Sequence, residues 1–475
     1  MSETDIVALP TFRERTLASL ETPGLGQAVM TAVMRQYEGR LEMLPELGDS
    51  LAVRELAAKI KDHTLQHLDE YLALFADRVR THGGQVHFAR TGDQACEIIR
   101  GIARDTDARL IVKAKSMVSE EIQLAGKLEA DGIEVVETDL GEFIVQVSKD
   151  HPSHIVTPVI HKTTKQIAAL FQKVLRIPYT EDPEALTKAA RQHLREKFRK
   201  ADMGICGCNF AVAETGTIVI VTNEGNGRLS TSRPRVVVAL MGMEKLVPGP
   251  AEMAVMLKLL ARSATGQRMT IYTNLLTGPK RRDDLDGPEE FHVVIMDGGR
   301  SRILAGKYRE TLRCIRCGAC LNACPVYRTI GGHAYGSVYP GPIGKLITPL
   351  LMGQDEFKDL PNASSLCNAC FDACPVRIRI PELLIEMRND QRRAGKMHWF
   401  QRLGFRLWRM GMMNTFFYRF GSKMARFFGN AAATDGWHTR LPPPFDEWTK
   451  HRDFPAMADK PFHEMWDEIE VDSRN

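Results

Sequence analysis

Seven of the ten cysteines in this 475-residue chain fall between positions 314 and 374. They read Cys314-x2-Cys317-x2-Cys320-x3-Cys324-Pro325 and then Cys367-x2-Cys370-x3-Cys374-Pro375. Three thiolates spaced two residues apart can wrap one face of an inorganic cube if the backbone curls tightly between them. Gly318 and the small Ala319 and Ala323 permit that curl, and the proline that follows turns the chain away with no N–H left to satisfy. The chemistry expected is one-electron transfer through cubane iron–sulfur clusters.

In two-cluster ferredoxins the cysteine before the proline ligates the other cluster, so both motifs fold into one unit. Cluster one is therefore assigned to Cys314, Cys317, Cys320 and Cys374, and cluster two to Cys324, Cys367 and Cys370. Cluster two is one thiolate short: Ser364 stands where Cys314 stands in the first motif. A serine hydroxyl, a ligand from a partner, water or an open three-iron cluster would each complete that site, so the second cluster is either [4Fe-4S] or [3Fe-4S]. Repeated Cys-x2-Cys also suits tetrahedral zinc or a disulfide framework. The even spacing closed by Cys-Pro argues against zinc, and the lack of an export signal argues against disulfides.

Other residues near the motifs carry weaker signals. Gly331 to Lys345 is rich in glycine and proline, which predicts an irregular wrap rather than a helix, with backbone amides close to an anionic cluster. His333 in that stretch is a second candidate iron ligand, with cysteine ligation preferred. Arg313 and Arg316 would stabilise the reduced, more negative cluster by attraction through space. Cys96 falls on an apolar helical face and reads as core. Cys206-Gly207-Cys208 could lend a ligand to cluster two, bind a metal or form a redox couple, but reads first as small buried residues beside a turn.

These residues need a scaffold. Residues 11 to about 80 have apolar positions at helical spacing and read as a packing layer. From about 81 to 305, short β-rich runs alternate with amphipathic helices, which predicts an α/β domain. Its strands are expected at Gln85–Phe88, Leu110–Lys113, Glu134–Glu137, Ile218–Val221, Val236–Leu240, Met269–Tyr272 and His292–Met296, in one large sheet, with a helix at Ser119–Glu129 opened by Ser119. Gly204 to Arg228 stands out as a strand leading into Asn223-Glu224-Gly225-Asn226-Gly227-Arg228. It matches neither a Walker loop nor the dinucleotide fingerprint, and a hairpin turn at Asn-Gly is favoured over an anion cradle. Glu214, among small residues, is a candidate buried acid or general base without a partner at fixed spacing.

The net charge of +4 gives no bulk electrostatic case for nucleic acid. Met1-Ser2-Glu3-Thr4-Asp5 lacks the basic-then-apolar order of a signal peptide, and no uncharged apolar stretch approaches the roughly eighteen residues a membrane helix needs. The expectation is a cytoplasmic protein, with membrane contact peripheral at most. From Gln391 to Thr434 there is no acidic residue, while Arg392, Lys396, Arg402, Arg409 and Arg426 alternate with Trp399, Phe405, Trp408, Phe416 and Phe427. Such a segment suits docking on a partner first, packing back onto the chain second and an anionic membrane last.

Several stretches carry a resemblance: Lys113-Ala114-Lys115-Ser116, Glu137-Thr138-Asp139-Leu140-Gly141-Glu142, Pro152-Ser153-His154, Ala213-Glu214-Thr215-Gly216, Asn223-Glu224-Gly225-Asn226 and Gly287-Pro288-Glu289-Glu290-Phe291-His292. Joined to the cysteine motifs, they resemble the lactate-utilization protein B family. The resemblance implies a lactate-utilization (LUD) domain of the sugar-isomerase/CoA-transferase-like α/β class, an α-helical two-cluster ferredoxin module and a helical tail. It also implies a subunit of an L-lactate dehydrogenase complex that does not use NAD, beside a cysteine-rich iron–sulfur subunit and a smaller LUD-only subunit.

The resulting division is an N-terminal helical layer at 1–80, the LUD domain at 81–305, the cluster module at 306–390 and a basic aromatic docking segment at 391–475. Two function classes are open. The chain is an electron-transfer subunit passing electrons from L-lactate to an acceptor such as a quinone, or its LUD domain is a transferase-like or ligand-sensing module braced by its clusters. Two clusters in one module favour the first, because one suffices for a brace. No catalytic residue for lactate oxidation is legible.

Overall fold

The computed structural model describes residues 10–395, 399–430, 433–443, 445–450 and 452–466. Lys396 and the first five residues, which entered the reading of the basic segment and the N-terminus, lie outside the described residues. The chain divides after Asn389 into two compact units.

The first unit opens with four helices: α1 (Phe12–Glu21), α2 (Leu25–Met43), α3 (Ser50–Gln66) and α4 (Leu68–Thr81). Thr11 and Glu14 form a reciprocal capping box on α1, and Asp49 caps α3 through the N–H of Ala52, so each start is written in the sequence.

Ten strands follow: β1 (Gln85–Ala89), β2 (Leu110–Lys113), β3 (Glu134–Glu137), β4 (Met203–Cys206), β5 (Phe210–Val212), β6 (Thr217–Thr222), β7 (Val236–Gly242), β8 (Leu246–Val247), β9 (Tyr272–Leu276) and β10 (Glu290–Met296). Six form a sheet in the order β1-β10-β7-β4-β2-β3, every pair parallel. A parallel sheet is covered on both faces, which explains its unbroken apolar strands. In β7, Val236, Val238 and Leu240 enter one core, while Val237, Ala239 and Met241 enter the core on the opposite face. Phe75 and Val79 of α4 pack into the latter with Phe291.

The single large sheet expected from sequence is corrected to two. β6 and β9 belong to a separate four-stranded sheet, ordered β8-β5-β6-β9, in which β6 runs antiparallel to both neighbours. β4, β5 and β8 escaped the sequence reading: β5 and β8 are only three and two residues long, too short to show a period, and β4 is interrupted by Gly204. The strand expected at Met269–Tyr272 begins only at Tyr272, and Met269 and Ile271 are exposed in the turn before it. The helix expected at Ser119–Glu129 is broken in two, Met117–Glu121 and Leu124–Ala130, by Gln123 in a left-handed conformation at φ 53°. Its cap is Ser116, whose Oγ accepts from the N–H of Ser119. The break drops Ile122 into the core, where its carbonyl accepts from the Cys96 thiol.

The cysteine motifs lie among short helices at Ala319–Ala323, Pro325–Ile330, Gly341–Met352 and Ala369–Ala373, followed by Ile380–Arg393. One buried ionic network joins this region to the α/β part. Arg300, fully buried, pairs with Glu244 at 2.7 Å and Glu121 at 2.8 Å, and the Tyr339 hydroxyl donates to Glu121 at 2.7 Å. Among its described residues the second unit has helices at Trp399–Met413 and Thr415–Asn430 and an antiparallel pair of short strands, Trp437–His438 with Phe454–Pro455.

Candidate iron–sulfur centre

The two motifs fold as copies of one loop. In the first, Arg316 and Gly318 take positive φ of 61° and 77°; in the second, Leu366 and Asn368 take 55° and 69°. The left-handed residues curl the chain, and each loop then enters a short helix closed by an extended cysteine, Cys324 or Cys374. The N–H of Arg316 donates to Cys314 Sγ at 3.4 Å, and the N–H of Leu366 donates to Ser364 Oγ at 3.2 Å. Ser364 thus occupies the place in its loop that Cys314 occupies in the other.

Charge interactions among the thiols sort them. Cys317 lies in the fields of Cys374 and Cys314, and Cys370 in those of Cys324 and Cys367. Cys320 feels Cys314, Cys317 and Cys374, and also Cys370 of the other group, so the groups are neighbours. Cys317, Cys320, Cys324, Cys370 and Cys374 are buried; Cys314 is half-buried and Cys367 exposed. Burial, reinforced by neighbouring sulfurs, pushes the Cys317 and Cys370 thiols up to about 12 and Cys374 to about 11. Partial burial also raises Cys367, but the Ala369 N–H and the Ser365 hydroxyl outweigh it and leave the thiol below its ordinary value.

This donor set fits iron–sulfur clusters. Sulfurs crowded in a dry interior repel one another as thiolates, and bound metal removes that penalty. Amide donors meet them: the N–H of Ile378 reaches Cys374 Sγ at 3.4 Å.

Three buried cations surround the sulfurs. Lys345 is 1 % exposed and holds its Nζ 3.8 Å from Cys324 Sγ. Arg54 on α3 donates to the Cys374 carbonyl from Nε at 3.2 Å and from Nη2 at 2.8 Å. Arg40 on α2 donates to the Asp372 carbonyl at 3.1 Å and lies in the fields of Cys317 and Cys374. The sequence reading missed all three, treating the N-terminal helices as packing. Lys345 had a signal: it is the lone charge in the apolar helix Gly341-Pro342-Ile343-Gly344-Lys345-Leu346-Ile347.

Several expectations are corrected. Gly341 onward is helical, not irregular, because Pro342 sits in the first turn, where its missing N–H costs nothing. Arg313 is engaged by Asp62 at 2.5 Å and Glu310 at 3.6 Å, which cancels its charge. His333 is away from the sulfurs: its Nε2 donates to the His151 carbonyl at 2.7 Å, beside Asp150 and His161. Glu214 is exposed in the turn between β5 and β6. Asn226-Gly227 opens a helix, Asn226–Ser232, rather than a hairpin. Cys96 and Cys206 are core residues, as the sequence suggested.

Cys208 instead lines a cavity of about 310 Å³ at the carboxyl ends of the sheet strands. Ser116 after β2, Asp139 after β3, Asn209 after β4 and Lys245 after β7 line it, and Arg316 and Cys317 complete its wall. The carboxyl edge of an open parallel sheet is where such folds bind ligands.

Residues 72–296 match the LUD domain family, 310–378 the 4Fe-4S dicluster domain, and 387–471 the C-terminal domain of lactate utilisation protein B. Lactate utilization protein B of Geobacillus kaustophilus (strain HTA426) is 48 % identical over 96 % of this chain and 96 % of its own length. The protein of the same name from Bacillus subtilis (strain 168) is 45 % identical over 98 % and 97 %, and that of Bacillus velezensis 46 % over 97 % of each. A LUD domain, a 4Fe-4S dicluster domain and a helical C-terminal part thus follow one another along the chain, which belongs to the lactate utilization protein B family.

Proposed function

We propose that this protein is the iron–sulfur electron-transfer subunit of a complex that oxidises L-lactate to pyruvate. The observation that carries the reading is the adjacency of two thiol groups in one buried module, with Cys320 of the first in the field of Cys370 of the second. Cys314, Cys317, Cys320 and Cys374 hold the first cluster, and Cys324, Cys367 and Cys370 hold the second. When bound, each cluster supplies a one-electron carrier. The chain's own residues then set the conditions for transfer. Burial of five of the seven thiols excludes water, amide N–H groups hydrogen-bond to sulfur, and Lys345, Arg40 and Arg54 offset accumulating negative charge.

The cysteine-rich and LUD-only subunits implied by family resemblance are the proposed partners, and the second unit is the proposed docking element. Trp399, Phe405, Trp408, Phe416 and Phe427 stand at least 60 % exposed on its helices, the aromatic surface that interfaces favour. No helix among the described residues is long and apolar enough to cross a membrane. Contact with a membrane and its quinones would be peripheral, and flotation with anionic liposomes tests it.

The central test replaces Cys317 by Ser. Cluster absorbance should bleach, and lactate-dependent reduction should be lost in the reconstituted complex. Unchanged turnover without the cluster would refute the relay.

A further inference from the structure

The cavity at the carboxyl edge of the sheet contains two cations whose bonding is incomplete. Lys245 is 7 % exposed and makes no hydrogen bond or ion pair among the described residues. Arg316 contacts Glu244 at 3.5 Å through Nη2 and covers the Tyr339 ring at 4.4 Å, but its buried Nε and Nη1 have no hydrogen-bond partner. The third cation, Lys115, is already engaged: its Nζ donates to the Val156 carbonyl at 2.9 Å and stands 3.4 Å from Glu142. Buried donors without a partner, such as Nε and Nη1 of Arg316, are costly, and with the nearly buried Lys245 beside them on the cavity wall they make the site receptive to an anion.

The rest of the wall restricts what anion that is. Asp139 and Glu224 also line the cavity and would repel a dianion such as phosphate. Met117, Ile155 and Leu260 supply apolar surface, while Ser116, Asn209 and Thr222 supply neutral hydrogen-bonding groups. One negative charge, a short apolar body and an additional hydroxyl or carbonyl match that wall.

We propose that this cavity binds a small 2-hydroxy or 2-oxo monocarboxylate, its carboxylate held by Lys245 and Arg316, against the wall formed by Cys317. The choice of acid rests on the lactate reading above, whereas the anion site rests on the cavity alone. Arg316 follows Cys314 by two residues and precedes Cys317, so the same loop touches the bound acid and grips the first cluster. The acid is thereby placed beside the entrance to the proposed relay.

Calorimetric titration of the anaerobically purified full chain with L-lactate, pyruvate and inorganic phosphate tests the site. One saturable site for L-lactate or pyruvate, with phosphate weaker, is expected. Lys245→Met should weaken binding about tenfold or more, the loss of a charge-assisted hydrogen bond. Ala264 also lines the cavity, and Ala264→Leu, which fills it without altering charge, should abolish binding too and stands as the test if the lysine variant fails to fold. Absence of saturable binding of either acid to the wild-type chain, or unchanged binding in the variants, overturns the proposal. So does a Lys245→Met chain that binds normally and differs only in the potential of its first cluster, since the lysine would then serve the cluster. Lactate-dependent cluster reduction in a reconstituted complex whose chain binds neither acid would overturn the cavity assignment and leave the relay standing. Binding of the acids to a chain whose clusters never accept electrons would do the reverse.

Discussion

Lys345 offers the most quantitative test of the iron–sulfur centre. Its Nζ lies 3.8 Å from Cys324 Sγ in an almost fully buried position. At an effective dielectric of about 20, a unit pair at that distance interacts by roughly 4 kcal/mol. The electron added on reduction spreads over a whole cluster, so about half of that is a fair share for one ligand sulfur. About 2 kcal/mol corresponds to a shift on the order of 90 mV for a one-electron couple. A cation favours the reduced, more negative state, so removing it lowers the midpoint potential. Lys345→Met keeps an unbranched apolar stem of similar length and removes the charge, together with the Nζ contact over the Tyr335 ring at 5.7 Å. A redox titration followed by electron paramagnetic resonance should find the second cluster about 90 mV more negative, and the first displaced by less. A second-cluster potential within about 20 mV of wild type would refute the electrostatic argument, as would a rise.

Ser364→Cys supplies the missing thiolate in a loop already shaped for it; a second cluster held open at three irons should then close to four, read as loss of the three-iron resonance and a rise in iron content. If the second cluster is unchanged, Ser364 does not face it. Arg300→Met leaves Glu121 and Glu244 buried without their shared cation and should cost about 3–5 kcal/mol, read as a lower unfolding midpoint; adding Glu244→Gln should recover part of the loss. His154 is buried, its Nε2 3.1 Å from Asn322 Oδ1, and burial lowers its pKa to about 3. The folded state keeps it neutral while the unfolded chain protonates near pH 6.5, so its contribution is complete above that pH and is lost as pH falls toward 3. The slope is about 1.4 kcal/mol per pH unit, hence roughly 2 kcal/mol by pH 5. Urea midpoints of wild type and His154→Gln at pH 7.5 and 5 should converge on acidification; parallel losses would assign the acid sensitivity elsewhere.

Local chemistry was legible without coordinates wherever it was repeated or periodic. Cysteine spacing announced the clusters because a thiolate must recur at intervals the cube dictates, and five of the six parallel strands, all but β4, were legible as short β-rich runs. The loop equivalence of Ser364 and Cys314 was likewise readable from alignment of the motifs. Failures came where a residue's meaning depends on distant partners. Arg313 and Lys345 are both cations beside cysteines, yet Asp62 neutralises the first and an apolar helix buries the second. Arg40 and Arg54, some 320 residues from the cysteine-bearing loop they meet, carry no sequence mark of that encounter. The division into two sheets depended on pairing rather than propensity, because β6 and β7 look alike in composition while pairing in different ladders. Sequence alone supplied the seven cysteines proposed to grip iron, since ligand chemistry is carried by residue type and short-range spacing. Tertiary structure decided which charges reach those atoms and which cavity opens beside them, because electrostatic fields and enclosed volume arise only when remote segments fold against one another.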